Sequence, residues 1–179
     1  MVELNLQNLE KGLPGLSVRW CYFLSEAGAY CLNRAKHESG VVLKIDSKKF
    51  DKAKLIWNNV INEQIKRSWN DDREATEFGA CCLAILLTLN LTEFTIIERS
   101  YIGTGFDYYL GYKNIIPFEN AAKLEISGIQ EGSIRQIKRR FKEKIKQTEK
   151  FNNTKLPVYI SIIEFSEPYA IYNLINERN

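Results

Sequence analysis

The chain carries a single histidine, His37, in 179 residues. That scarcity removes most chemistry that needs an imidazole base. Neither Ser100 nor Ser127 has a histidine near it in the chain, so a Ser-His-Asp arrangement is not expected. Cysteine is scarce too. Cys21, Cys31, Cys81 and Cys82 form no Cys-x-x-Cys pair, which excludes a structural zinc module and a disulfide framework. Buried free thiols in a reducing compartment are expected instead. Four prolines and ten glycines leave little room for long linkers. The longest apolar run, Phe78 to Leu89, falls short of the ~20 residues that cross a bilayer. No apolar leader follows Met1, and Glu3 and Glu10 interrupt that stretch. A cytoplasmic protein without a membrane partner is the expectation. The net charge is only +3, so any basic surface must come from local clustering.

Aromatic residues, by contrast, are well supplied: nine Tyr, nine Phe and three Trp within a 45% hydrophobic chain, enough to bury a real core. A single domain over residues 1–179 is expected. Trp20, Trp57 and Trp69 read as core or interface anchors. Residues 1–16 read as a loose lead-in, punctuated by Gly12, Pro14 and Gly15. A helix is predicted over 18–36, ended by Ser39-Gly40, with Lys36 and His37 in its last turn. A short strand over 41–45 follows, then a helix over 50–68 on the spacing of Leu55, Val60, Ile61 and Ile65.

Asp71 as N-cap and Glu74 three residues on start the next helix. It is apolar nearly all round from Phe78 to Leu89, so it should be buried, with Glu77 just ahead of the apolar run. Three strands are expected over 94–101, 106–111 and 121–127. Gly103-Thr104-Gly105 supplies the first turn, and Asn114 to Pro117 the second loop. A helix over 132–149 sets Ile134, Ile137, Phe141 and Ile145 on one face. Val158 to Phe165 is apolar on both parities, as in a central strand, and 170–175 closes the chain.

Two acids on neighbouring strands, Asp107 and Glu125, have two readings. They are a structural pair, with Glu125 on a solvated face bonded to Lys123, or they converge on a hard cation held by oxygens. The helix over 132–149 is rich in cations. Arg135, Lys138, Arg139, Lys142 and Lys146 are its candidate contacts to phosphate backbones, although the same charges also suit a solvated face or an acidic protein partner.

From Asp71 to Phe165 the order is helix, three strands, helix, strand, with Glu77 on the first helix, Asp107 on the second strand and Glu125 in the third. This order resembles the PD-(D/E)XK nuclease superfamily over about half of the chain. The resemblance implies an α/β (mixed α+β) fold: a central mixed sheet flanked by helices. It implies a restriction-endonuclease-like core at 71–165 and an N-terminal helical extension at 1–70. It also implies a metal-dependent nuclease. Asp107 and Glu125 would be ligands of Mg²⁺ or Mn²⁺, Glu77 an auxiliary ligand, and DNA or RNA the partner. The family carries a lysine two residues after the strand glutamate; here that position is Ser127. Lys123 shares the face of Glu125 and is the candidate replacement, with Arg135 and Lys138 as others. Proteins of this kind resemble parts of bacterial and phage conflict systems. The alternative is a non-catalytic or immunity-type protein that uses the basic helix to hold nucleic acid, a protein partner or a second copy.

Overall fold

The computed structural model describes residues 1–151 and 155–175. Its elements run β1 (Val2–Asn5), a 3-10 helix (Leu6–Lys11), α1 (Val18–Arg34), β2 (Val42–Asp46), β3 (Lys52–Ile56) and α2 (Glu63–Ser68). They continue with α3 (Asp72–Leu91), β4 (Phe94–Arg99), β5 (Tyr108–Tyr112), β6 (Ala122–Ile129), α4 (Ile134–Phe151), β7 (Val158–Glu164) and β8 (Tyr169–Ile175). All eight strands join one mixed sheet in the order β1-β3-β2-β8-β7-β6-β5-β4. The β6–β7 pair is parallel, with α4 as its crossover, and β4–β5–β6 and β7–β8 are antiparallel. The expected central mixed sheet flanked by helices is therefore the observed one.

The main core lies on the face covered by α1 and α3. Asp71 caps α3 by accepting the N–H of Glu74 at 2.9 Å, as its place three residues ahead of Glu74 predicts. Leu83, Ile85, Leu86 and Leu87 on α3 are all but fully buried, each contributing about 1.5–3 kcal/mol relative to exposure. By length and composition α3 could cross a membrane, yet it is packed between α1 and the sheet as a core helix. All four cysteines are free and buried, as expected. On the opposite face α4 packs Ile137, Phe141 and Ile145 against Val158, Ile160, Ile162 and Ile171. Strand β7 is thus covered on both sides, which is why it is apolar on both parities.

The first 70 residues depart most from expectation. The helix predicted over 50–68 is a strand, an irregular stretch and a short helix. Lys52 and Lys54 face out while Ala53 and Leu55 face in, and that period of two sets β3 beside β2 and β1. Asn62 then caps α2 by accepting the N–H of Ile65 at 2.9 Å. The lead-in is not loose either, since Leu4, Leu6 and Leu9 are fully buried. Residues 1–70 thus supply three strands to the same sheet as well as α1. Helix α1 ends earlier than predicted. Lys36 takes φ 63, and the His37 ring leaves the helix end to meet Phe165 O at 2.9 Å and Ser166 O at 3.1 Å.

Candidate functional site

Strand β6 is longer than its partner β5, and the site forms where β5 stops. Tyr109 pairs with Lys123 and Tyr108 with Leu124, whereas β6 goes on beside β7 as far as Ile129. One residue before Tyr108, Asp107 stands across from Glu125. Its N–H donates to Leu124 O at 2.9 Å. Beyond this point no strand among the described residues pairs with the β5 side of β6. The Ile126 N–H donates to Asp107 Oδ2 at 2.7 Å, so a carboxylate takes the place of the missing ladder carbonyl. The Gly103-Thr104-Gly105 turn delivers Asp107 to this place. Both glycines hold positive φ, 94° and 80°, where other residues are strained.

The alternation of β6 puts Leu124 and Ile126 on the α3 face and Lys123, Glu125 and Ser127 on the other. There α4 meets them: Lys144 Nζ donates to Glu125 Oε1 in a short ion pair, and Arg140 Nη1 donates to Ser127 Oγ at 3.0 Å. Glu125 is only 3% exposed, which removes the reading of a solvated strand glutamate. Its carboxyl and that of Asp107 are side-chain hydrogen-bond partners. Burial pushes both pKa values up, and repulsion from Asp107 raises Glu125 further, against the pull of Lys144. Repulsion from Glu77 adds to the rise of Asp107, while the Ile126 N–H and Lys144 oppose it.

Glu77 is exposed on α3 and lines a cleft of about 640 Å³ with Asp72, Arg73, Thr76, Ile126, Ser127, Gly128, Gln130, Arg140 and Lys144. Helices from both faces of the sheet reach this cleft because no strand among the described residues closes it. Gly128 permits the approach of α3: a Cβ there would stand 2.4 Å from Thr76 O.

The predicted residues divide clearly. Asp107 and Glu125 come together, whereas Glu77, exposed on α3, acts on Asp107 only through its charge. Lys123 is buried elsewhere on the same face, its ammonium 4.7 Å from the Phe106 ring centroid. Arg135 and Lys138 do not turn toward the acids. With Arg139 and Lys142 they line a separate groove on the outer side of α4, and Lys146 is exposed as well. The cation at the carboxyl pair is Lys144, which sequence reasoning missed. Its signal was helical spacing, since Arg140 and Lys144 lie four apart and flank the apolar stripe together. Glu164 was missed too. Nearly fully buried, it accepts the N–H groups of Gly132, Ser166 and Glu167 at 3.3, 2.8 and 2.9 Å, tying the loop before α4 to the turn after β7.

Among the described residues no three Asp, Glu, His or Cys side chains converge into a metal cage. Mg²⁺ does not require one, because it is commonly held by one or two carboxylates, with water and phosphate oxygens completing its shell. Two buried carboxyls with raised pKa values, held by Ile126 and Lys144 of the cleft lining, fit such an ion. Compared with known family models, curated proteins and solved structures, the chain matches none.

Proposed function

We propose that the protein is a metal-dependent phosphodiesterase acting on DNA or RNA, of the PD-(D/E)XK kind, working in the cytoplasm. The observation that carries this reading is the Asp107–Glu125 carboxyl pair with Lys144 against it, at a cleft whose other cations are Arg73 and Arg140. A bound Mg²⁺ or Mn²⁺ would be held by Asp107 and Glu125 and would supply charge neutralisation at the phosphate and an acidified water. The chain's own groups do the rest. The Ile126 N–H fixes the Asp107 carboxylate. Glu125 holds the Lys144 ammonium at the cleft wall, where it offsets negative charge developing on the phosphate or the attacking oxygen. Lys144 thus takes the part that the family gives to the lysine two residues after the glutamate. Arg73 and Arg140 bind the scissile phosphate by charge, and Glu77 stands by as an auxiliary acid. Such an activity suits a bacterial or phage conflict system. The test is cleavage of single- and double-stranded DNA and RNA with Mg²⁺ or Mn²⁺. Wild type is expected to cleave at least one of these and Asp107→Ala none. Equal cleavage by the two proteins would remove this site.

A second reading has its own support. Arg135, Lys138, Arg139, Lys142 and Lys146 are all exposed on α4, with only Glu143 paired to Arg139 and Arg140 among the described ion pairs. A non-catalytic or immunity-type protein would use this face to hold nucleic acid or an acidic partner. In that case Arg139→Glu with Lys142→Glu abolishes retention while Asp107→Ala leaves it intact.

A further inference from the structure

The hairpin tip that delivers Asp107 also displays the most exposed large apolar side chains near the site. Tyr101 is 80% exposed and Ile102 fully so. They are not on a slack loop. The Thr104 hydroxyl hydrogen-bonds to Tyr101 O at 2.9 Å and is also paired with the Ser100 hydroxyl, and the Ser100 N–H donates to Asp107 O at 2.8 Å. The positive φ of Gly103 and Gly105 closes the turn. The backbone therefore holds both side chains out into solvent, at a cost in apolar exposure that the fold does not recover. Nothing in the core calls for them, and a Cβ at Gly103 would meet no atom within 4 Å, so this tip stands clear of the body.

We infer that Tyr101 and Ile102 form a stacking wedge for unpaired bases, so that the substrate is a single-stranded or locally opened nucleic acid. This inference rests on the phosphodiesterase reading of the same site. The tip is tied to Asp107 through the Ser100 N–H, and Arg73, Arg140 and Lys144 line the cleft with Ile126, whose N–H holds the Asp107 carboxylate. A strand whose phosphate enters the cleft carries its neighbouring bases toward the tip. A tyrosine ring offers a face to any base, whereas bases inside a duplex have theirs already covered. Charge in the cleft and a planar apolar group on the hairpin that ends at Asp107 are together the recognition chemistry of single strands.

The experiment is a titration of a 2-aminopurine-labelled DNA 12-mer, single-stranded and as duplex, in EDTA so that no cleavage intervenes. Wild type should bind the single strand more tightly than the duplex and quench the label. Tyr101→Ala with Ile102→Ala should bind the single strand about fivefold to a hundredfold more weakly, with duplex binding unchanged. Tyr101→Phe should bind like wild type, since it keeps the ring. Equal affinities of wild type and the double variant, or no binding of single strands by wild type, would overturn the inference. The two readings fail separately. Cleavage without a role for the tip leaves Asp107 in place, whereas tip-dependent binding without Asp107-dependent cleavage leaves only the wedge.

Discussion

Lys144, midway along α4, donates to Glu125 in the middle of β6, nineteen residues away in the chain. It stands where two acids would otherwise face each other almost uncompensated. Lys144→Ala should therefore lower the cleavage rate by about 10²–10³, the usual effect of losing one preorganised electrostatic group. Unfolding should change little, because the carboxyl pair can take up a proton instead. Ser127 lies on the same strand face as Glu125, so Ser127→Lys in the Lys144→Ala background should restore part of the rate. Assays of the three proteins on one substrate, with thermal midpoints alongside, check this.

The carboxyl pair also predicts a pH dependence of stability. Glu125 has its pKa raised from 4.5, chiefly by burial and by Asp107. From 4.5 upward the folded state thus binds more protons than the unfolded chain. Stability falls as pH rises through that window, and above the raised pKa the penalty is complete. Glu125→Gln removes one titrating group and the repulsion with it. Thermal midpoints between pH 5 and 8 should decline for wild type and decline less for Glu125→Gln. Parallel curves would show that the pair does not titrate as described.

Gly128 sets the distance between β6 and α3. A Cβ there would lie 2.4 Å from Thr76 O and 2.8 Å from Thr76 Cγ2, both on the helix that carries Glu77. Gly128→Ala should cost about 1–3 kcal/mol in urea unfolding, as overpacking does. It should also reduce activity at temperatures where the variant is still folded, because the α3 wall of the cleft moves.

Much of this arrangement was legible in the sequence, and the exceptions have physical causes. The Asp71 cap and the apolar run from Phe78 located α3. The Gly103-Thr104-Gly105 turn located the β4–β5 hairpin, and double parity marked β7 as central. Those elements bring Asp107 to Glu125. Strand β3 was hidden because Leu55, Val60, Ile61 and Ile65 happen to fall at helical spacing, while the alternation of Lys52 to Leu55 is only four residues long. Strand β1 is equally short, and its partner β3 lies some fifty residues on, a pairing that no local pattern announces. Lys144 was hidden among many cations on one helix. Which of them meets Glu125 depends on the rotation of α4 over β6 and β7, and that is set by Ile137, Phe141 and Ile145 packing into the sheet.

In the proposed enzyme Asp107 and Glu125 together hold a divalent ion. Calorimetric titration of Mn²⁺ into wild type, Asp107→Ala and Glu125→Gln tests it without any need to know the substrate. One ion per chain is expected in wild type, with binding at least about tenfold weaker in each variant and release of a proton on binding, since the pair must ionise fully. Binding that is unchanged in Asp107→Ala, or no binding by wild type at millimolar Mn²⁺, would contradict it.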